Sequence, residues 1–181
     1  RIVELIKNEK IDEKVRFACN SRANLIDEYA CKLLKEMNIV STSIGFESGS
    51  ERILKILKKG TTTVKDNEKA IQICKEFGIK VGGGIMVGNP GETKEDLEMT
   101  LNFIKKNPMD NIGLFITTPY PGTELWDIAR MDGFISDNID WKKFNIFPTP
   151  ELKNNLYINK AGGKIIPIKC FGKRIGPNLH R

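Results

Sequence analysis

A chain of 181 residues with 40% hydrophobic and 29% charged side chains is long enough for one domain with a real core and has an ordinary globular composition. No run approaches the roughly 18 apolar residues of a membrane span, and Arg1 leads directly into an amphipathic segment, so the reading is a cytoplasmic enzyme or binding domain with no membrane partner. The net charge of +6 is not spread along the chain: residues 1–150 hold 22 Lys plus Arg against 22 Asp plus Glu, and residues 151–181 hold 7 against 1.

In chain order, Arg1 to Asn8 places Ile2, Val3, Leu5 and Ile6 on a helical period and reads as a crossover helix. A strand, KVRFAC (14–19), is followed by a helix, NLIDEYACKLLKEM (24–37). STSIGFE (41–47) is followed by SERILKILKKG (50–60), and a further helix, VKDNEKAIQICKEFG (64–78), ends at Gly78. IKVGGGIMV (79–87) leads to TKEDLEMTLNFIKKN (93–107), whose Thr93 and Asp96 have capping-box spacing. NIGLFIT (111–117) leads to TELWDIARMDG (123–133). Strand starts near 15, 43, 80 and 112 leave 28, 37 and 32 residues per repeat, a length that suits strand-helix-strand crossovers. The pattern predicts an α/β fold with a parallel sheet covered by helices.

The glycine-rich stretch GGGIMVGNPGET (82–93) fails both familiar phosphate-loop patterns. A dinucleotide fingerprint begun at Gly82 needs glycine where Val87 stands. A phosphate loop begun at Gly83 reaches Gly88 but then meets Asn89 and Pro90 in place of Lys and Ser or Thr. What survives is a strand that ends in a turn and feeds a helix. In parallel sheets of this kind, ligands gather at the carboxyl ends of strands, and the four loops there are NSRAN, ESGSE, GNPGET and TPYPGT. Glu47 and Ser48 can hydrogen-bond hydroxyls, Arg22 can fork onto a carboxylate, and glycines let a flat ring approach bare backbone. Pro90, Gly91, Pro121 and Gly122, taken singly, read as turn formers.

Cys19, Cys31, Cys74 and Cys170 are too far apart for a zinc knuckle, a redox pair or an iron-sulfur run. Cys31 and Cys74 read as core thiols within helices. The basic residues 151–181 have irregular glycines and prolines and no sustained period. They read as a disordered, solvated end. A frameshift artefact stays open, and the absence of an aromatic array argues against a nucleic-acid arm.

With IGFESGSERILKILKKGTT, GGGIMVGNPGET and TPYPGTELW in that order and spacing, and DWKKF further on, residues 1 to about 147 resemble the radical S-adenosylmethionine (radical SAM) superfamily. The likeness is to the C-terminal part of its core domain, in the branch that often carries a cobalamin-binding domain, with the methylthiotransferases as neighbours. The resemblance implies a partial TIM-type (β/α) barrel of six units, of which this chain supplies about four, the third to the sixth, over residues 1–150. It implies that Glu47 and Ser48 contact the ribose or methionine end of S-adenosylmethionine, and that Arg22 reaches the cofactor's carboxylate. It further implies that Gly84, Met86 and Gly88 pack on adenine beside the loop carrying Pro119 and Tyr120. Glu92 stands one position late for the motif's terminal acid, where Gly91 falls.

Family chemistry requires three cysteines in Cys-x-x-x-Cys-x-x-Cys spacing to hold a 4Fe-4S cluster, and that run is absent here. The resemblance therefore implies a fragment, inactive on its own, of an enzyme that cleaves S-adenosylmethionine to a deoxyadenosyl radical. Its partners would be a missing N-terminal segment or split-gene product, an unidentified substrate and, in the intact protein, the cluster and a cobalamin. The alternative is a non-catalytic remnant acting as a binding or scaffold module.

Overall fold

The structure, a computed structural model, describes residues 1–131 and 133. The basic segment 151–181, DWKKF, Cys170 and His180 lie outside the described residues. The chain divides into two compact units, one formed by Arg1–Val87 with Glu95–Phe115, the other by Gly88–Lys94 with the residues from Ile116 onward. Four strands form a single sheet in sequence order: β1 (Phe17–Ser21), β2 (Ile39–Glu47), β3 (Lys80–Val87) and β4 (Asn111–Ile116). The β1–β2 and β2–β3 pairings are parallel. Among the described residues six helices accompany them: α1 (Ile2–Asn8), α2 (Glu28–Glu36), α3 (Glu51–Lys58), α4 (Val64–Glu76), α5 (Lys94–Lys106) and α6 (Glu124–Met131). Strand-helix-strand crossovers connect neighbouring strands in sequence order, and the expected α/β layout of a partial TIM-type barrel is what the chain adopts.

Local chemistry sets the helix boundaries. The Asp27 carboxylate accepts from the Ala30 amide at 2.7 Å and starts α2, four residues later than the apolar period suggested, because Ala23–Leu25 forms a separate 3-10 turn. Ser50 caps α3, whose end is marked by Lys59 in the left-handed region. Thr63 and Asp66 form a reciprocal capping box on α4, and Gly78 follows that helix with φ +64°. The strand boundaries moved as well. β1 begins at Phe17, not Lys14, because Lys14 and Val15 bond back to Ile11 and Asn38 holds the carbonyls of Asp12 and Val15. Cys19 therefore sits inside the strand and does not close it.

The two faces of the sheet differ in kind. Ile44, Phe46, Val81 and Ile85 are buried on one face, as are Ile53, Leu54, Ala70, Cys74 and Phe103 of the helices, and the Phe46 ring meets Phe103 edge-on at 5.8 Å. The opposite face of β2 and β3 carries Ser43, Gly45, Gly82 and Gly84. Register is regular up to the pair Gly45 and Gly84, then shifts so that Glu47 pairs with Ile85. This bulge places one extra residue in β2 where the strand turns into its loop.

Candidate functional site

In the first unit the end of β2 is held in an uncommon conformation. Glu47 has φ +64°, and the Ser48 amide donates to the Phe46 carbonyl two residues back at 2.8 Å. That bond closes a γ-turn around Glu47. Turns of this hand are rare and strained, and strain of that kind collects at ligand-binding positions. The turn aims the Glu47 carboxylate back across Gly45: a Cβ on Gly45 would lie 2.5 Å from Glu47 Oε1. Lys58 Nζ donates to the same oxygen at 2.9 Å, with both side chains about one-fifth exposed (21% and 19%).

The residues after Glu47 lie against α5. Ser48 is fully buried; its hydroxyl is 3.1 Å from Thr100 Oγ1 and accepts from the Ser50 amide at 3.1 Å. Gly49 donates its amide to Thr100 Oγ1 at 3.0 Å, and a Cβ there would meet Phe103 Cβ at 2.6 Å and Thr100 Cα at 2.7 Å. Ser50 donates to Asp96 Oδ1 at 2.5 Å, and the Arg52 guanidinium pairs with Asp96 Oδ2. The sequence grouped Ser48 with Glu47 as a ligand contact; the structure turns its hydroxyl inward to Thr100.

β3 contributes backbone. Gly84 is half-buried, and a Cβ on it would meet nothing nearer than Phe115 Cε2 at 3.5 Å, an ordinary contact; on Gly82 the nearest atoms are at 3.7 Å. Neither has the positive φ that demands glycine. Glycine inside a strand costs stability, and where sterics do not require it, it marks a close approach by something else. Met86 follows on the same strand, half-buried. Arg22, just past β1, is exposed and donates to Thr61 Oγ1 at 3.1 Å. Thr61 bonds in turn to the Lys58 carbonyl at 2.7 Å, which links Arg22 to the segment that carries Lys58. A hollow of about 420 Å³ opens among Asn20, Ser41, Ser43, Lys80, Gly82 and Asp110, toward the strand starts and away from Glu47.

In the second unit, Glu92 organises the glycine turn that the sequence left unassigned. Its Oε2 accepts from the amides of Gly88 at 2.6 Å and Asn89 at 3.1 Å, and its Oε1 accepts from Asn89 Nδ2 at 3.2 Å. Asn89 Oδ1 accepts from Thr117 Oγ1 at 2.7 Å. All three residues are buried. The Gly88 amide is thereby committed within the protein. In the TPYPGT loop, Pro119 is buried and Tyr120 is half-exposed; Thr123 donates to the Tyr120 carbonyl at 2.7 Å and accepts from the Trp126 amide at 3.2 Å, opening α6.

Metal chemistry finds no ligands among the described residues, where no three His, Cys, Asp or Glu side chains are placed to hold an ion. Cys31 and Cys74 are buried without exposure. Burial pushes the Cys74 thiol up to about 12, and burial first raises Cys31 as well. Cys19 donates to Thr42 Oγ1 at 3.5 Å. Cluster ligation needs accessible thiolates, so a 4Fe-4S cluster does not fit this set. No helix of the described residues is long and apolar enough to cross a membrane.

Known proteins align with this arrangement. The family model described as the radical SAM superfamily matches residues 1–104. The chain is 35% identical over 150 residues to an uncharacterized methyltransferase of Pyrococcus horikoshii, covering 82% of this chain and 32% of that protein. It is 39% identical over 108 residues to a putative methylthiotransferase of Methanocaldococcus jannaschii, covering 60% and 24%. The radical S-adenosylmethionine methyltransferase TsrM from Kitasatospora setae, solved with cobalamin and a 4Fe-4S cluster, shares the fold with a TM-score of 0.61 at 22% identity, over 71% of this chain and 26% of that one. The archaeal Elp3 of Methanocaldococcus infernus gives 0.61 at 26% identity, over 71% and 32%. The chain thus spans about a third or less of the length of these relatives. With more than half of its residues matched by the family model, and with the parallel sheet and the loops that carry the family's motifs in place, the chain belongs to the radical SAM superfamily.

Proposed function

We propose that this chain supplies the ribose and adenine side of the S-adenosylmethionine pocket in a radical SAM enzyme of the methyl- or methylthio-transferring kind. The observation that carries the proposal is that the Glu47 γ-turn brings its carboxylate over Gly45, the register partner of the bare backbone of Gly84 on the adjoining strand. A carboxylate accepts from ribose hydroxyls, and a glycine in unstrained extended backbone leaves room for a planar base to lie on the peptide. Met86 offers a polarizable surface to the same ring. Arg22 presents a guanidinium suited to the carboxylate of the methionine end. For Gly88, Pro119 and Tyr120 the adenine-side role rests on the family resemblance; with the Gly88 amide held by Glu92, Gly88 would contribute its carbonyl and its lack of a side chain.

A 4Fe-4S cluster, if bound in a longer protein, would supply the electron for reductive cleavage of the cofactor. Its ligands would come from residues other than those described here, in an additional segment or a partner chain, and a cobalamin such as TsrM holds would be bound in the same way. This chain's own residues bind and orient: Glu47 fixes the ribose, Gly84 and Met86 hold the base, and Lys58 holds the Glu47 carboxylate in place through its 2.9 Å contact. The substrate is selected elsewhere in the enzyme.

Calorimetric titration of the chain with 5′-deoxyadenosine and with S-adenosylmethionine tests the reading. Because no cluster ligands stand among the described residues, the two ligands are expected to bind with affinities within about tenfold of each other, which is about 1.4 kcal/mol. Absence of binding by both would leave the scaffold reading in its place.

A further inference from the structure

The β2–α3 loop is anchored more heavily than a turn between two elements requires, and every anchor lies outside the pocket proposed above. We propose that Thr100 and Asp96 on α5 are positioning residues, which hold Glu47 in its γ-turn and so set where its carboxylate meets the ribose. This proposal rests on the pocket reading for its functional half and on the geometry alone for its conformational half.

The proton positions are determined by counting donors. Thr100 Oγ1 donates its one proton to the Asp96 carbonyl at 2.9 Å. It must therefore accept both from the Gly49 amide at 3.0 Å and from the Ser48 hydroxyl at 3.1 Å. Ser48, with its proton committed to Thr100, accepts from the Ser50 amide. Ser50 in turn gives its proton to Asp96 Oδ1 and accepts from the Ile53 amide at 3.4 Å, which starts α3. Arg52 pairs with the other Asp96 oxygen. One helical turn of α5 thus fixes Ser48, Gly49, Ser50 and Arg52 through two side chains. A second helix fixes the other flank, where Asn67 of α4 donates to the Phe46 carbonyl at 3.2 Å, the same oxygen that closes the γ-turn. Between these clamps stands Glu47, the one residue of the run whose backbone is strained, and strained backbone persists only where its surroundings over-determine it.

The geometry also explains why glycine stands at 49. Its α-carbon rests on the backbone of α5, with Thr100 Cα and the Met99 carbonyl 2.7 and 2.9 Å from where a Cβ would be. Only this close approach lets the Gly49 amide reach the Thr100 hydroxyl. The β2 loop is therefore registered against α5, the helix that follows β3, and not against its own strand alone. In an orientation-dependent site, displacement by a fraction of an ångström at such a support is enough to weaken binding.

The test uses the chain with Thr100→Val, which keeps the shape and removes the hydroxyl, and Thr100→Ser, which keeps the hydroxyl. The two readouts are the Glu47 backbone chemical shifts, which report its φ, and the affinity for 5′-deoxyadenosine. Thr100→Val is expected to shift the Glu47 signals away from left-handed values and to weaken the nucleoside at least about tenfold, with Thr100→Ser restoring both. A lowered melting temperature with Glu47 signals and affinity unchanged would overturn the proposal and leave Thr100 as packing. So would shifted signals with unchanged affinity, because the carboxylate would then not be what is positioned. If the unaltered chain binds no nucleoside, the pocket reading fails by itself, and the Glu47 shifts still decide the conformational claim. Should Thr100→Val fail to fold, Asp96→Asn severs the charge on Ser50 and Arg52 while keeping the side-chain shape, and it is expected to move the same two readouts in the same direction.

Discussion

Lys58 and Glu47 are joined across a left-handed turn and a helix: Nζ lies 2.9 Å from Oε1, and both side chains are about one-fifth exposed. A pair this sheltered is worth more than a surface ion pair but far less than its Coulomb energy, because both charges have already lost part of their hydration. Removing Lys58 leaves a carboxylate poorly solvated over Gly45. Lys58→Met is therefore expected to cost about 1–2 kcal/mol, Glu47→Gln somewhat less, and the double variant less than their sum by about 1 kcal/mol. Urea denaturation of the four proteins measures the coupling; strict additivity would mean that the contact carries no energy.

The glycines predict opposite outcomes from the same substitution. Gly84→Ala adds a methyl with no contact closer than 3.5 Å and no adverse φ, so stability should hold or rise by about 0.5 kcal/mol. The methyl occupies space the base would use, so 5′-deoxyadenosine affinity should fall. Gly49→Ala drives a methyl into the backbone of α5 at 2.7–2.9 Å, and is expected to destabilise by about 2 kcal/mol or more. Thermal melting alongside nucleoside titration separates the two, and a Gly84→Ala protein that binds as well as the unaltered chain would remove the base from that surface.

Particular residues show where sequence reading reached and where it stopped. The strands and helices were legible because apolar period and helix stops are local: Gly78 and the run Ile85 to Val87 each declare their role within a few positions. β1 was placed too early because Asn38, more than 20 residues away, captures the carbonyls before it. Ser48 is grouped with Glu47 in the sequence because both stand in the loop after the strand and can hydrogen-bond hydroxyls; its burial against Thr100 is a tertiary contact that no local pattern shows. Nothing in Glu-Ser-Gly-Ser announces a non-glycine residue in the left-handed region. Lys58 was missed for a similar reason: in Leu-Lys-Lys-Gly it looks like one more cation on an exposed helix end.

Glu92 holds the glycine turn from within it, through the amides of Gly88 and Asn89. The turn Asn89–Gly91, with Gly91 at φ +69°, brings a carboxylate one position late into reach of the Gly88 and Asn89 amides. Glu92→Gln replaces one acceptor oxygen by a donor facing donors, and is expected to cost about 2 kcal/mol. The sharper readout is amide hydrogen exchange at Gly88 and Asn89, which should accelerate at least tenfold in Glu92→Gln while amides of the first unit are unchanged. Unaltered exchange at those two amides would show that another group holds the turn.

The buried thiols give the alkaline limit of the fold. Cys74 is raised to about 12 and Cys31 is raised too, both chiefly by burial, above the ordinary range of a free thiol. A thiol raised in the folded state keeps its proton when the unfolded chain has lost it, so its stabilising contribution is complete below about pH 9 and falls as pH rises toward 12. Each such group adds up to about 1.4 kcal/mol per pH unit to that decline. Replacing both, Cys31→Ala with Cys74→Ala, should lower stability at neutral pH through the lost core volume yet flatten its fall between pH 9 and 11. Under native conditions at pH 8 both should resist iodoacetamide, with Cys19, only half-buried, reacting first. Alkylation of Cys31 or Cys74 at the rate of Cys19 would mean that α2 and α4 part readily, and the sealed core behind the pocket would have to be given up.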